Sequence, residues 1–360
     1  MKVNRILKST SIAAAALALV SAAPNSFALD PDSEAAALNI LFLGNSYTNY
    51  DNLPNRIKLL AADAGWASPN VTKITPGGQT LIGHSTNSTV QNAISNGPSA
   101  GVDWDVVVLQ DQSQTPANPS TTVNNFYPGA LSLYDQVQAS NPEAQVVLFE
   151  TWARRADYDF TTGFFIGTSA DDMQDRLSAA YNFAADTYIP TNSTAVDKTD
   201  VRVAEVGEAW RASYADDANF ALHTGDKSHP SADGTYLAAL MLYSEIYLTG
   251  VDGLFNGGNA NVTTADATRL QGIASGLIPD AYTRIAGDAN DDGLVDQLDL
   301  DFVDANLGTS TARAFNGDLN GDGFVDNIDR QEVVTNIPEP TSLILLGAGA
   351  IVLVGRRPRR

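Results

Sequence analysis

Residues suited by kind and arrangement to nucleophilic chemistry lie in two places. Ser46 sits in NILFLGNSYTNY, Asn39 to Tyr50, just past an apolar run and on a turn that Gly44 allows to be tight. A serine at the carboxyl end of a strand buried on both faces stands where open α/β sheets hold their ligands, so Ser46 is the candidate nucleophile. Far downstream, Gly225 to Gly234 reads GDKSHPSADG. Asp226 and His229 lie close enough there for the carboxylate to orient the imidazole while the other ring nitrogen turns toward a serine. The histidines are His84, His223 and His229, which leaves few alternatives for a general base. Each stretch also has a plain structural reading. Gly-Asn-Ser is ordinary turn chemistry, and His229-Pro230 can be a helix entry with Asp226 a solvated acid.

Composition narrows the chemistry further. The 360 residues include no cysteine, so thiolate metal sites, disulfides and a cysteine nucleophile are excluded, and covalent catalysis must use oxygen or nitrogen. The length suggests two domains plus processing segments. A hydrophobic fraction of 44% is enough for a sizeable core. The 21 basic and 42 acidic residues give a net charge of -21, which argues against nucleic acid and anionic membrane surfaces as partners.

The elements that must position these residues alternate. Strands are expected at Asn39 to Leu43, Val71 to Thr75, Trp104 to Leu109, Gln145 to Phe149 and Val201 to Val206. Helices are expected at Leu53 to Trp66, Tyr127 to Ser140, Ala170 to Tyr188, Asp233 to Leu248 and Ala265 to Leu277. This alternation means an α/β fold, a parallel sheet with helices on both faces. Ser85 to Gly101 and Arg154 to Ala170 are polar and without clear period. They read as loops, shaping a cleft or simply solvated. Trp152 and Trp210 follow the fourth and fifth strands, either as walls against a sugar ring or as core.

In order and spacing, Asn45-Ser46, Gly77-Gly78 and Asp226-Lys227-Ser228-His229-Pro230 resemble the first, second and last sequence blocks of the SGNH (GDSL-like) hydrolase superfamily. The resemblance spans Asn39 to Tyr247 and implies a three-layer, flavodoxin-like fold. It implies Ser46 as nucleophile, His229 as base and Asp226 as its orienter. It also implies an oxyanion hole from the Ser46 backbone N–H, a glycine N–H (Gly78 or Gly77) and an amide from the third block. That block's Gly-x-Asn-Asp is missing; the third strand runs instead into Leu109-Gln110-Asp111-Gln112-Ser113. A glutamine amide offers the same donors on a longer stem, so Gln112, or in second place Gln110, takes the role. The first block has Gly-Asn-Ser for the more usual Gly-Asp-Ser. The activity implied is hydrolysis of esters.

Near the C-terminus one pattern occurs twice, DANDDGLVDQLD at Asp288 to Asp299 and DLNGDGFVDNID at Asp318 to Asp329. Oxygen side chains at loop positions 1, 3, 5, 9 and 12 with glycine at 6 are the pattern of an EF-hand calcium loop. The expected ligands of one Ca2+ are Asp288, Asn290, Asp292, Asp296, Asp299 and the Leu294 carbonyl. Those of the other are Asp318, Asn320, Asp322, Asp326, Asp329 and the Phe324 carbonyl. The acid at position 12 is Asp rather than Glu, and the duplicated loop-helix unit resembles a type I dockerin. That resemblance implies two structural Ca2+ ions and a cohesin partner. The usual Ser-Thr recognition pair is replaced by Gln297-Leu298 and Asn327-Ile328, which favours a metal-stabilised spacer over a cohesin-binding module.

The ends read as targeting segments. Lys2, Arg5 and Lys8, the apolar Ile12 to Val20 and the small-residue site Ser26-Phe27-Ala28 form a secretory signal, with cleavage expected after Ala28. Pro338-Glu339-Pro340, an apolar stretch from Thr341 to Gly355 and Arg356-Arg357-Pro358-Arg359-Arg360 resemble the PEP-CTERM sorting signal. It implies an exosortase-type processing enzyme and a Gram-negative cell envelope, surface or extracellular matrix, with a permanent anchor as the alternative. The organisation expected is 1–28 signal, 36–284 hydrolase domain, 286–337 small α-helical calcium-binding module and 338–360 sorting tail. The function expected is an exported serine esterase, with acyl groups on carbohydrate as the expected substrate. The competing expectations are a non-catalytic surface or matrix protein of the same fold and a dockerin-borne esterase on a cohesin scaffold.

Overall fold

Asn39–Leu43 carries an unbroken apolar run, Ile40 to Leu43, and forms β1, an interior strand of a five-stranded sheet. β2 is Asn70–Ile74, β3 Val106–Leu109, β4 Gln145–Phe149 and β5 Val201–Ala204. The order is β2-β1-β3-β4-β5 and every pairing is parallel, which is the flavodoxin-like arrangement that the sequence implied. The computed structural model describes residues 37–161, 167–196, 201–279, 282, 287, 289, 295–309, 317, 319 and 325–337.

Side chains alternate across the strands and fill two layers. Ile40, Phe42, Val106, Val108, Val147 and Phe149 pack on one face with buried residues of the helices Leu53–Asp63, Val206–Asp216, Ala232–Tyr247 and Thr264–Ser275. Leu41, Leu43, Val107, Leu109, Val146 and Leu148 meet the other layer, built from Leu81–Ser85, Ser88–Asn96, Tyr127–Ser140 and Ala170–Phe183. Strand register brings the site segments together. Leu43 pairs with Ile74 on one side and Leu109 on the other, so the segments after β1, β2 and β3 leave the sheet together at one edge.

Three differences from the sequence expectations stand out. The stretch Ser85 to Gly101 is not a plain loop but contains the helix Ser88–Asn96, capped by the Asn87 side chain and stopped at Gly97, with Val90 and Ile94 buried one turn apart. β5 ends at Ala204, and Val206 begins a helix instead, burying Val206, Ala209, Trp210 and Ser213 on one stripe. β3 starts at Val106; Trp104 before it is an anchor, its indole N–H donating to the Ala93 carbonyl at 2.7 Å.

Near the C-terminus, Gln297–Asn306 and Asn327–Asn336 are helices whose Val303 and Val333 share a small core with Leu319 and Val325. The signal at 1–28 and the tail at 338–360 lie outside the described residues. Among the described residues no helix is long and apolar enough to cross a membrane.

Candidate active site

Ser46 opens a short helix, Ser46–Asn49, directly after β1. Gly44 is dictated by contact: a Cβ there would lie 2.3 Å from Thr48 Oγ1 and 2.8 Å from Gln110 Oε1. Gln110 is buried, and its Oε1 accepts the Asn45 N–H at 3.0 Å and the Thr48 hydroxyl at 2.8 Å, while Nε2 donates to the Asp111 carbonyl. Asn45 caps the helix by accepting the Tyr47 N–H, and its amide donates to Gln79 O at 2.9 Å and Asp111 O at 3.3 Å. A carboxylate at 45 has no N–H to give to these carbonyls, so the asparagine in the first block joins all three blocks here. His84 completes the support, donating from Nε2 to the Gly44 carbonyl at 2.8 Å. Burial lowers its pKa and favours the neutral ring.

His229 lies 183 residues downstream of Ser46, yet its Nε2 is 2.9 Å from Ser46 Oγ. Its Nδ1 is 2.5 Å from Asp226 Oδ2. The other carboxylate oxygen accepts the backbone N–H groups of Ser228 and His229, each at 2.9 Å, and the Thr224 hydroxyl at 2.8 Å. Partial burial pushes the Asp226 pKa up. The His229 ring, the His229 and Ser228 N–H groups and the Thr224 hydroxyl outweigh it and hold the carboxyl well below the usual carboxylate range. Lys227 takes a left-handed φ of 65°, which turns the chain between acid and base. An imidazole so placed can accept the serine proton, with an ionised carboxylate behind it. His223 does not compete. It donates from Nε2 to the Ala153 carbonyl at 3.0 Å and meets the Tyr214 hydroxyl at 2.7 Å through Nδ1, and burial pulls its pKa down to about 4.

The candidate oxyanion donors occupy different settings. Gly77 and Gly78 are exposed on the turn after β2, with open space beside both and Gly78 at a φ of +69°. Gln112 anchors its Oε1 on the N–H groups of Gln114 and Thr115 at 2.8 and 3.1 Å. Its Nε2 reaches only Ser113 Oγ, at 3.5 Å, and so keeps donor capacity, whereas the Gln110 amide is committed to the nucleophile turn. Between them Asp111 is fully buried; Oδ1 accepts the Gln112 N–H at 2.6 Å and the Leu81 N–H at 3.3 Å, and Oδ2 has no partner. Burial, only partly countered by these N–H groups, pushes its pKa up to about 7.

Trp152 and Trp210 are core rather than sugar-facing walls. Each is 1% exposed, and their rings stack at 4.0 Å with Tyr47 stacked on Trp152 at 4.5 Å. Trp152 works on the site from behind, its indole N–H donating to the Ser228 carbonyl at 2.9 Å. The accessible aromatic is Tyr50, 39% exposed and stacked on the His229 ring at 5.7 Å. The sequence reading missed Tyr50, Asp111 and His84 as parts of this site and offered Gln110 only as a second-place oxyanion donor, not as the support of the serine turn. Gln110 and Asp111 follow the third strand, where a polar pair after four apolar residues was the available signal.

Of the expected calcium ligands, Asp288, Asn290, Asp292, Leu294, Asp318, Asn320, Asp322 and Phe324 lie outside the described residues. Asp296 and Asp326 cap the two helices, and Asp299 and Asp329 are fully buried. Asp299 accepts the N–H groups of Ala289 and Asp296, and Asp329 those of Leu319 and Asp326, so each position-12 acid closes its loop. Buried carboxylates with hard oxygen donors fit Ca2+. Among the described residues no group of three or more acid or histidine side chains is placed to hold a metal ion.

The chain is 30% identical to a solved protein from Slackia heliotrinireducens described as a candidate SGNH hydrolase, over 59% of this chain and 100% of that one, with a TM-score of 0.46. The chain belongs to the SGNH hydrolase superfamily. A DUF4886 family protein from Bacteroides uniformis, 14% identical, covers 69% of this SGNH hydrolase and 98% of its own length at a TM-score of 0.52, a likeness of fold. A carbohydrate esterase family 3 protein from Talaromyces cellulolyticus is 13% identical over 58% of this SGNH hydrolase and 96% of its own chain, with a TM-score of 0.41. Residues 286–337 match the dockerin type I domain family, and residues 336–360 match the PEP-CTERM protein-sorting motif. No curated protein matches this SGNH hydrolase.

Proposed function

We propose that this protein is an exported serine esterase in which Ser46, His229 and Asp226 act as nucleophile, base and orienter. The observation that carries the reading is the pair of contacts made by one imidazole, 2.9 Å to Ser46 Oγ and 2.5 Å to Asp226 Oδ2. Ser46 Oγ attacks the ester carbonyl while its proton passes to His229 Nε2. The carbonyl oxygen, now negative, is held by the N–H groups of Ser46 and Gly78 and the Gln112 amide. Collapse expels the alcohol, which takes the proton from His229. Water then attacks the acyl-enzyme with His229 again as base, releasing the acid and Ser46.

The substrate in this reading is an acyl-decorated carbohydrate, supported by the export signal and the dockerin-type segment. We further assign 36–284 to the hydrolase domain, 286–337 to a module folding around two structural Ca2+ ions and 338–360 to a tail processed by an exosortase-type enzyme. The destination is the surface or matrix of a Gram-negative cell. The ions supply the charge that lets Asp296, Asp299, Asp326 and Asp329 fold close together. Gln297-Leu298 and Asn327-Ile328 make a spacer the first reading of this module and cohesin docking the second.

Hydrolysis of p-nitrophenyl acetate and acetylated xylan by the mature chain, beside Ser46→Ala and His229→Ala, tests the assignment. Turnover by the parent and its loss in both variants is the expected result. Activity that survives Ser46→Ala overturns the nucleophile, and an inactive parent favours a non-catalytic surface protein.

A further inference from the structure

Arg154 is the buried arginine of the described fold, 9% exposed, and its guanidinium lies among the segments that carry Ser46, Gln112 and His229. One guanidinium nitrogen donates to the Tyr47 and Ser228 hydroxyls, and the other terminal nitrogen donates to Ser113 Oγ at 3.0 Å. These three residues follow Ser46, precede His229 and follow Gln112 in sequence. The guanidinium therefore touches a chain neighbour of the nucleophile, of the base and of the Gln112 oxyanion donor. Its plane lies near the rings of Tyr47 and Tyr158, at 6.0 and 5.8 Å.

What is missing is a counter-charge. Arg56, Arg155, Arg176, Arg211, Arg269 and Arg330 each pair with a carboxylate, and Lys227 pairs with Asp157. Arg154 meets only neutral hydroxyls, and among the described residues no carboxylate lies within ion-pair distance and Nε makes no hydrogen bond. This occurs in a chain with twice as many acidic as basic residues, where a carboxylate is the cheapest partner to supply. A buried cation left without an anion is costly, and a guanidinium presents a fork that matches a carboxylate.

We propose that Arg154 is a specificity residue that binds a carboxylate carried by the ester substrate, completing its ion pair only when substrate is present. The inference rests on the esterase reading of Ser46. The carboxylate has two possible sources, the acyl group, as in a dicarboxylic half-ester, or the alcohol, as in an acylated uronic acid. Both present the same chemistry to the guanidinium.

Two measurements test it. In the first, mono-p-nitrophenyl succinate is compared with p-nitrophenyl butyrate for the acyl source, and acetylated glucuronic acid with acetylated glucose for the alcohol source. The expected result is a preference of about ten- to a hundredfold in kcat/KM for the anionic member of one pair, the range of a charge-assisted hydrogen bond. It should lie mainly in KM, disappear in Arg154→Gln and survive in part in Arg154→Lys. No preference in either pair overturns the proposal, as does an equal loss on charged and neutral esters in Arg154→Gln, which makes the residue a structural clasp only. The second measurement is calorimetric titration of Ser46→Ala with succinate and with glucuronate, using glucose as the neutral control. Binding of a carboxylate that weakens with added salt is expected, and its absence overturns the proposal. This second result stands even if no ester is turned over or Arg154→Gln fails to fold, so failure of the esterase reading is separable from failure of this one.

Discussion

Replacing Asp226 by asparagine exposes the logic of the site most sharply. The two carboxylate oxygens have unequal duties: Oδ1 accepts two backbone N–H groups and the Thr224 hydroxyl, and Oδ2 alone faces His229 Nδ1. An asparagine has one acceptor oxygen, and three donors compete to keep it at the Oδ1 position. Its NH2 group must then face the ring and donate to Nδ1. That forces the proton onto Nε2, the nitrogen 2.9 Å from Ser46 Oγ, and the base can no longer accept from the serine. A wrong tautomer of this kind costs about ten-thousandfold in kcat, equivalent to about 5 kcal/mol in the barrier. Asp226 is half exposed, so water can compete for Nδ1, and a loss of about a thousandfold is the lower bound of the expectation. The assay is steady-state hydrolysis of p-nitrophenyl acetate near neutral pH, with KM compared and near-UV circular dichroism as the folding check. A folded variant that retains more than a tenth of the parental kcat would refute the assignment of Asp226 as orienter.

Gly44→Ala should lower stability by about 1 to 3 kcal/mol in urea unfolding and reduce kcat at the same time, because the new methyl drives into Thr48 and Gln110, which hold the serine turn. Unchanged unfolding midpoints would mean that the turn relaxes freely. Asp111→Asn should change how thermal stability depends on pH. With a folded pKa of about 7 against an unfolded value near 4, the wild type loses stability as pH rises from about 4 to 7, since only the unfolded chain releases the proton. The variant should therefore gain on wild type across that window in Tm scans; a constant difference would remove the assigned shift. Chelation by EGTA should reduce helical circular dichroism and speed proteolysis around residues 286–337 while leaving p-nitrophenyl acetate turnover unchanged. Turnover falling with the helical signal would tie the module to the site.

The interior of the sheet was legible because β1 and β3 are built on continuous apolar runs, IleLeuPheLeu after Asn39 and ValValValLeu before Gln110, and these are buried on both faces. The helix Ser88–Asn96 was not, because Val90 and Ile94 are its whole buried stripe and the rest of it is polar. Trp210 was ambiguous for a different reason. A tryptophan just past a strand fits a cleft wall as well as a core, and only the stack of Tyr47, Trp152 and Trp210 shows that it is core. Within the site, the Ser46 and Asp226-His229 pattern could be read from spacing on short turns. Arg154 could not, because its three partners come from three distant segments and nothing local marks a buried arginine.

His229 and Asp226, the proposed base and orienter, occupy a single loop that is also closed on itself, with the Thr224 N–H donating to the His229 carbonyl and the Lys227 N–H to the Thr224 carbonyl. Such a loop moves as one body. Strain, heat or a distant substitution can shift it relative to the sheet without separating imidazole from carboxylate, so partial damage should appear first as a lengthening of the single gap between Ser46 Oγ and His229 Nε2. The serine would then lose its reactivity toward acylating inhibitors while the histidine still holds its hydrogen bond to the carboxylate, so function would be lost between loop and sheet before it was lost within the loop.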